Sequence, residues 1–189
     1  MTGRELFRKS KKILIVLVRI ISFLPYRLRL WIFTKHRNFG GYYGLASRYI
    51  PLKSICKYVG DNVSIHPNVY MFNIQNLCIG SNVSIHPMSY IDSVGGLIIE
   101  DNVSIAHGTS IMTSNHEYSN TEVPIKYQGI RTASTKIEED VWIGAKVMVL
   151  AGVTISHGCV IGAGSVVTKS TKSFGVYMGV PAKLYKSRL

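Results

Sequence analysis

A six-residue repeat of apolar side chains runs through the sequence from Val59 to Val167. The chain is apolar at positions 59, 65 and 71, at 79, 85 and 91, at 99, 105 and 111, and at 137, 143, 149, 155, 161 and 167. A period of six matches neither the 3.6 residues of an α-helical turn nor the two-residue alternation of a half-buried strand. It indicates short strands joined by tight turns, wound into a coil whose layers stack roughly 4.8 Å apart.

The spacing of the repeat predicts the size of each coil. Three units of six make one triangular coil of eighteen residues, but the starts at 59, 79 and 99 are twenty residues apart. Each early coil therefore holds two extra residues, which we place near "QN" and "GG". The interval from 99 to 137 equals two coils plus two residues. We predict a mainly-β coiled domain over residues 59–189, ending in a C-terminal tail.

Positive charge is concentrated in a segment that precedes the repeat. Residues 1–58 hold 13 of the 22 Lys and Arg and one acidic residue, Glu5, a net of 13 − 1 = +12, whereas residues 59–189 balance at 9 − 9 = 0. A basic segment attached to a neutral body argues against a nucleic-acid-binding domain. We predict that residues 1–58 form a separate basic, helical segment.

Residues 13–26, "ILIVLVRIISFLPY", form an apolar run within this segment. Arg19 divides the run, no small-residue cleavage site follows it, and it lacks the ~20 continuous apolar residues of a spanning helix. Two interpretations remain open. Residues 1–33 associate with the membrane surface as an interfacial helix, or the segment only caps the coil.

The cysteines Cys56, Cys78 and Cys159 stand singly. An odd number without a CxxC pair argues against a disulfide framework and a zinc site, and favours a reducing, cytoplasmic compartment. We expect no bound metal.

A polar stretch, "IMTSNHEYSN", interrupts the repeat at residues 111–120. We predict that residues 114–136 protrude from the coil as a loop that carries His116. Histidine is the side chain best suited to move protons near neutral pH. By contrast, His66 and His86 recur in "SIHP" units, so we assign both to a duplicated structural turn, and His157 to another turn.

Five segments occur in the order and spacing of a known family: "SNHEYSN", "VPIKYQG", "IEEDVWIGAKVMVLAGVTI", "VIGAGSVVTK" and "GVPAK". Over residues 59 to about 183 the chain resembles the hexapeptide-repeat acyltransferases. Its similarity is greatest to the galactoside, maltose and Nod-factor acetyltransferase branch and to bacterial surface-polysaccharide O-acetyltransferases. The resemblance implies a left-handed parallel β-helix, a homotrimer, and acetyl-CoA as co-substrate without a metal.

The resemblance implies a catalytic role for His116 and Ala145. His116 matches the catalytic histidine, which removes the proton of an attacking hydroxyl, and the backbone amide of Ala145 stabilises the oxyanion. A carboxylate is expected to orient the imidazole, and Asp92 and Glu117 are the two candidates. The sequence places neither of them, although Glu117, adjacent to His116 in an extended segment, is the weaker candidate.

The coenzyme is expected in a groove between neighbouring subunits. The matching positions are Trp142 and Ala145 near its reactive end, Ala163 and Gly164 along its pantetheine arm, and Thr168, Lys169 and Lys183, whose lysines lie near its phosphates. Trp142 could equally be a partly buried aromatic residue at a coil corner. The family often has Arg at the position of Lys183, and "KSTKSFG" departs from its usual "KDIPP" turn.

The predicted function is O-acetylation of a bacterial surface glycan, or its lipid-linked precursor, at the inner face of the cytoplasmic membrane. Residues expected near this carbohydrate acceptor are Asp92, His107, Glu117, Tyr118 and Tyr127. Alternatives are N-acetylation of a nucleotide-linked amino sugar, acetylation of a small sugar or antibiotic, and a non-catalytic scaffold for glycan assembly.

Overall fold

The computed structural model describes residues 3–189 and begins with three α-helices. They are α1 Gly3–Ser22, α2 Tyr26–Lys35 and α3 Gly41–Ile55. Pro25 and Gly40 immediately precede α2 and α3, at breaks where the helical backbone stops. No helix among residues 3–189 combines the length and apolarity needed to cross a membrane. Met1 and Thr2, which belong to the predicted membrane-associated segment 1–33, lie outside the described residues.

Short strands make up most of the remaining chain. The first nine are β1 Tyr58–Val59, β2 Ser64–Ile65, β3 Tyr70–Phe72, β4 Leu77–Ile79, β5 Ser84–Ile85, β6 Tyr90–Asp92, β7 Leu97–Ile99, β8 Ser104–Ile105 and β9 Ser110–Ile111. The others are β10 Ser114–His116, β11 Ile130–Thr132, β12 Thr135–Ile137, β13 Trp142–Ile143, β14 Met148–Val149, β15 Thr154–Ile155, β16 Val160–Ile161, β17 Val166–Val167, β18 Gly175–Met178 and β19 Lys183–Ser187. Single 3₁₀ turns lie at Ile74–Asn76 and Ile125–Tyr127.

The strands form a left-handed parallel β-helix with three faces. Face A contains β1, β4, β7, β12 and β15, and face C contains β3, β6, β9, β14 and β17. Face B contains β2, β5, β8, β13, β16 and β18, and β19 pairs antiparallel with β18 at its end. Each coil crosses faces A, B and C in turn, so residues of successive coils stack in register. The predicted fold class is confirmed.

The core is the stack of repeated apolar residues inside the coil. All fifteen positions of the six-residue repeat are buried, with at most 4% of any side chain exposed. Val59, Ile79 and Ile99 lie directly above one another on face A, as successive partners in parallel pairing. Each face of a coil thus contributes one residue of this inward stack, which is why the sequence repeats every six residues.

The spacing between Ile99 and Ile137 was wrongly predicted to contain two coils. Ile99 pairs directly with Ile137 across β7 and β12, so the two residues belong to adjacent coils. The interval of 38 residues from Ile99 to Ile137 consists of one coil of eighteen residues and an excursion of twenty, which includes the antiparallel β10–β11 hairpin. The two earlier insertions do form the predicted bulges, one at the 3₁₀ turn Ile74–Asn76 and one at Gly96, whose φ is +92°.

The helices cover the open edge of the first coil. Arg48 of α3 is buried and donates from Nε to the Ile65 carbonyl at 2.8 Å. The Tyr49 hydroxyl donates to the Gly60 carbonyl at 3.0 Å, and Lys11 of α1 pairs with Asp61 at 2.5 Å. Exposed strand edges otherwise invite pairing with other chains, so this contact protects one end of the β-helix.

Candidate active site

The β10–β11 hairpin carries His116 away from the coil. Ser114, Asn115 and His116 pair with Thr132, Arg131 and Ile130 in antiparallel register. Thr113 anchors the exit: its hydroxyl donates to the Asp92 carbonyl at 3.0 Å and accepts from the Gly95 amide at 2.9 Å. The side chain of His116 is exposed at the far end of β10. The base of the hairpin is fixed to the coil, while the predicted catalytic side chain faces outward.

Asp92 is a buried carboxylate beneath the hairpin. Its Oδ1 accepts from Asn73 Nδ2 at 3.0 Å and from the Val94 amide at 3.2 Å. Its Oδ2 accepts from the Ser114 hydroxyl at 3.2 Å. Within residues 3–189, the His116 side chain has no hydrogen-bond or ion-pair partner, and neither candidate carboxylate, Asp92 or Glu117, is bonded to it. Asp92 contacts the strand that carries His116 rather than the imidazole itself.

The hairpin tip is folded on itself. The Gln128 amide nitrogen donates to the carbonyls of Asn120 and Val123, both at 2.7 Å, and its oxygen accepts from the Asn120 amide at 3.0 Å. Tyr118 and Tyr127 are 74% and 73% exposed, and Lys126 Nζ lies over the Tyr127 ring, 5.9 Å from its centroid. The backbone amide of Glu117 donates to the Gly129 carbonyl at 3.2 Å and continues the hairpin ladder.

A second group of candidate residues lies on the turns between faces B and C, here called the B–C edge. These turns carry His107, Ala145, and Ala163 with Gly164 in three successive coils. The Lys146 amide donates to the His107 carbonyl at 3.0 Å, and the Gly164 amide donates to the Ala145 carbonyl at 2.8 Å. The predicted oxyanion residue Ala145 therefore stacks between His107 and Ala163.

Close backbone packing explains the small residues at the B–C edge. A Cβ on Gly144 would lie 2.7 Å from the Ala163 amide nitrogen, so a larger residue there would force the two turns apart. Gly164 has a φ of +71°, a conformation that glycine adopts without strain. Ala163 and Gly164 are both exposed, which leaves the backbone accessible to a narrow, flexible ligand.

The remaining candidates lie elsewhere on the last coils. Thr168 and Lys169 follow β17 at the turn where the chain leaves face C. This turn stacks on the one that leads to His116, through the hydrogen bonds Leu150 N to Val167 O (3.1 Å) and Met112 N to Val149 O (3.0 Å). We call this row of turns the C–A edge.

Face C separates the two edges in one protomer. His116, Thr168 and Lys169 belong to the C–A edge, whereas His107, Ala145, Ala163 and Gly164 belong to the B–C edge. Trp142 is 55% exposed on face B, and Lys183 is exposed on β19. One protomer therefore does not bring the predicted base and the predicted oxyanion donor to the same edge.

Sequence reasoning missed the residues that support the hairpin. Thr113 and Ser114 sit next to His116 in "IMTSNHE", yet only the structure shows that their hydroxyls bond to the backbone and carboxylate of Asp92. Two hydroxyls at the exit of a repeat are the only sequence signal for this role. Among residues 3–189, no group of three His, Cys, Asp or Glu stands close enough to hold a metal ion.

Comparison with family models and curated proteins supports the resemblance to transferases. Residues 134–169 match the model described as bacterial transferase hexapeptide (six repeats). A protein named probable acetyltransferase from Mycobacterium tuberculosis is 42% identical over 74 residues, 39% of this chain and 25% of the relative. The dTDP-4-amino-4,6-dideoxy-D-glucose acyltransferase of Escherichia coli is 37% identical over 89 residues, 44% of this chain and 46% of the relative. The aligned parts thus cover less than half of each relative.

Solved structures match over most of the chain. The hexapeptide-repeat acetyltransferase VCA0836 of Vibrio cholerae, complexed with acetyl coenzyme A, superimposes with a TM-score of 0.76 at 23% identity, covering 84% of both chains. A maltose O-acetyltransferase of Clostridium difficile 630 gives a TM-score of 0.66 at 25% identity, covering 97% of this chain and 88% of that one. The predicted resemblance to hexapeptide-repeat acetyltransferases is confirmed.

Proposed function

From this resemblance to the hexapeptide-repeat acetyltransferases, we propose that the chain transfers an acetyl group from acetyl-CoA to a hydroxyl of a bacterial surface glycan or its lipid-linked precursor. The observation that carries the proposal is the β10–β11 hairpin, which interrupts an otherwise regular coil and presents an exposed His116 on an anchored strand. A solvent-facing imidazole on a fixed base suits a general base that must meet a diffusing acceptor.

The proposed reaction is a direct attack without an acyl-enzyme. His116 removes the proton of the acceptor hydroxyl as its oxygen forms a bond to the thioester carbonyl carbon, whose π electrons move onto the carbonyl oxygen. The resulting tetrahedral intermediate collapses, the carbon–sulfur bond breaks, and the coenzyme thiolate takes the proton from the imidazolium. His116 returns to its neutral state, and the products are the acetyl ester and free coenzyme.

The Ala145 amide is the proposed donor to the developing oxyanion. A backbone N–H held in a fixed direction stabilises such charge without reorganisation. Two contacts support a rigid turn: the Thr109 hydroxyl donates to the Gly144 carbonyl at 3.0 Å, and the Gly164 amide donates to the Ala145 carbonyl at 2.8 Å.

The accessible backbone at Ala163 and Gly164 fits a pantetheine arm, because neither position has a side chain beyond Cβ. Thr168, Lys169 and Lys183 are exposed near the same end of the β-helix, and their donors suit the phosphates of the coenzyme. Trp142 is proposed to lie beside its reactive end.

The separation of the two edges supports a site shared between subunits. Because His116 and Ala145 flank face C on opposite sides, a site that needs both is incomplete in one protomer. We propose a homotrimer in which the C–A edge of one subunit meets the B–C edge of its neighbour. The coenzyme would then lie in the groove between them.

The proposed acceptor is a carbohydrate. The exposed rings of Tyr118 and Tyr127 offer apolar faces for sugar C–H groups, and Glu117 and His107 offer polar contacts for hydroxyls. The similarity to a maltose O-acetyltransferase supports a hydroxyl as the nucleophile.

A second candidate is N-acylation of an amino sugar on a nucleotide carrier. The E. coli relative acts on dTDP-4-amino-4,6-dideoxy-D-glucose, and an amine acceptor would use the same base. Incubation of the protein and acetyl-CoA with maltose-type sugars and with a nucleotide-linked amino sugar separates the two functions. Acetyl incorporation into only the amino sugar would replace the O-acetylation proposal.

His116→Ala tests the mechanism. We expect loss of acetyl transfer, measured as release of free coenzyme thiol, with the dissociation constant for acetyl-CoA unchanged in calorimetry. His157→Ala is the matched control, because His157 lies on the turn between β15 and β16, outside both edges, and circular dichroism checks its fold because the ring packs edge-on against Phe174 at 4.8 Å. Retained turnover in His116→Ala would refute the proposed base. Mass spectrometry of surface glycans from cells with and without the gene would then identify the acceptor class.

A further inference from the structure

Helix α1 presents a stripe of apolar side chains that the rest of residues 3–189 leaves uncovered. Ile13, Val16, Leu17 and Ile20 recur at spacings of three and four, so they share one side of the helix. Their exposed fractions are 65%, 53%, 40% and 60%, and Phe23, just beyond the helix, is 90% exposed. An exposed apolar stripe of this kind marks an interaction surface.

A different side of α1 packs against the rest of the protein. Leu14 is buried, and the Phe7 ring contacts Tyr49 of α3 edge-on, with a centroid distance of 5.5 Å. Lys11 on the same side pairs with Asp61 of the first coil. These contacts fix the rotation of the helix, so the stripe faces outward because of the fold and not because α1 is loosely attached.

Basic side chains flank the stripe. Arg4, Arg8, Lys9, Lys12 and Arg19 are exposed on α1. Successive residues are about 100° apart around a helix, which places Lys9 within the stripe and Lys12, Arg19 and Arg8 along one border. Glu5 is the only acidic residue in positions 1–58. Cationic side chains beside an apolar stripe are the pattern of a helix that lies in a lipid interface.

We propose that α1 docks this protein on an anionic lipid bilayer. The apolar stripe enters the boundary between headgroups and acyl chains, and the basic border contacts lipid phosphates. No helix among the described residues could span a membrane, so the attachment is peripheral and parallel to the surface.

Charge favours a bilayer over a second copy of the chain as the occupant. Residues 1–58 carry a net charge of +12 and residues 59–189 carry none. Two copies that met through their stripes would bring like charges together, whereas an anionic surface attracts each Lys and Arg. The proposal is independent of acetyl transfer, because no residue of α1 belongs to either edge of the candidate site.

The test uses the full chain and sedimented vesicles. We expect binding to phosphatidylcholine vesicles that contain phosphatidylglycerol, at least tenfold weaker binding to phosphatidylcholine alone, and a decrease with added salt. Ile20→Glu should reduce binding to anionic vesicles at least tenfold. Ser22→Glu is the matched control, because it makes the same change of charge on roughly the opposite side of the same helix and should have a much smaller effect.

Three results would overturn the proposal. The first is no binding to anionic vesicles, and the second is an equal loss of vesicle binding in Ile20→Glu and Ser22→Glu. The third is that the wild type binds no lipid and that a substitution in the stripe changes its oligomeric state. The third result would assign the stripe to self-association. Circular dichroism of each variant checks that the helices are retained. Ile20 is exposed, so its replacement should leave the helical content unchanged. The His116→Ala variant should lose acetyl transfer but bind vesicles like the wild type. Failure of the lipid-docking proposal and failure of the catalytic proposal therefore give different results.

Discussion

Asp92 shows how a single buried carboxylate holds in place the strand that carries His116. It is only 7% exposed and accepts hydrogen bonds from Asn73, Val94 and Ser114, which come from three different segments. Hydrogen bonds to a charged acceptor are stronger than neutral ones. In this protomer Asp92 therefore holds β10 in place and is not bonded to the imidazole, while its contact with the acceptor stays a prediction.

Asp92→Ala should impair both stability and catalysis. It leaves the Asn73, Val94 and Ser114 donors without their acceptor, so we expect unfolding to become easier by about 2–4 kcal/mol. Turnover should fall while the affinity for acetyl-CoA is retained, because the coenzyme candidates lie on other coils. Urea denaturation and initial rates measure the two effects.

Ser114→Ala distinguishes positioning from direct catalysis by Asp92. It removes only the hydroxyl that joins Asp92 to the hairpin. We expect a partial loss of turnover, with the pH profile of the reaction unchanged. A wild-type rate in Ser114→Ala, together with a displaced pH profile in Asp92→Asn, would instead indicate that Asp92 acts on the imidazole.

At the scale of elements, a ladder of hydrogen-bonded asparagines explains the Asn of the repeated segment "NVSI". Asn62, Asn82 and Asn102 have φ values of 53°, 58° and 59°, which asparagine tolerates better than most residues. Their side chains join in a chain of hydrogen bonds, Asn62 to Asn82 at 3.0 Å and Asn82 to Asn102 at 3.1 Å. Turn conformation and side-chain pairing both repeat with the coil, so the fold was predictable from sequence.

The register across the hairpin was not predictable in the same way. An interval of 38 residues between Ile99 and Ile137 is consistent with two coils plus two residues or with one coil plus twenty, and periodicity alone favours neither. The choice depends on the β7–β12 pairing and on the antiparallel β10–β11 pairing, which are contacts between distant segments. Local sequence carries little information about such contacts.

A stack of histidines predicts acid sensitivity of the first two coils. The rings of His66 and His86 are parallel, with centroids 4.5 Å apart. Burial lowers the pKa of both imidazoles. The neighbouring charges of His86 and Arg48 lower the pKa of His66 further, and the charge of His107 does the same to the pKa of His86. The folded protein therefore resists protonation at this site more than the unfolded chain does.

The sign of the effect follows from linkage. Below pH ~6.5 the unfolded histidines take up protons that the folded state excludes, so the free energy of unfolding decreases as the pH falls through 6.5 toward the lower folded pKa values. His86→Gln should make this decrease smaller. Urea denaturation of both proteins at pH 7.5 and 5.5 measures it, and an unchanged pH dependence would contradict the prediction.

The helical cap depends on Arg48. Besides the Ile65 carbonyl, its guanidinium donates to the carbonyls of His36 and Phe39 at 2.8 Å and 2.7 Å, so it joins α3, the α2–α3 connection and the first coil. Arg48→Met should destabilise the protein by about 3 kcal/mol or more, because buried carbonyls lose charged donors. Arg27→Met, on the exposed surface of α2, should change unfolding by less than about 0.5 kcal/mol.

At the scale of the whole molecule, the candidate site is divided between two edges of one β-helix. Sequence identified His116 and Ala145 individually, because each lies in a recognisable segment. That they flank face C on opposite sides depends on the face at which the chain re-enters the coil after the hairpin, and the pairing of β7 with β12 shows that it re-enters on face A. If each site combines the C–A edge of one subunit with the B–C edge of the next, the functional unit is a closed ring of copies.

Mixing two inactive variants tests this arrangement. His116→Ala damages the C–A edge, and Ala163→Trp blocks the B–C edge, so either homotrimer should be inactive. In trimers reassembled from an equal mixture, a site is intact when its C–A edge comes from the Ala163→Trp chain and its B–C edge from the His116→Ala chain. Each condition holds for half of the positions, so activity should recover to about 1/2 × 1/2, or one quarter, of the wild type.

Light scattering should first give about 63 kDa, three chains of 21.0 kDa. Wild type mixed equally with His116→Ala serves as the control, and about half of its sites should be active, since only one edge is affected. No recovery in the mixture of variants, despite verified exchange of subunits, would mean that His116 and the B–C edge serve one site within the same chain. The hairpin would then have to fold back across face C, a movement that its anchors at Thr113 and Asp92 oppose.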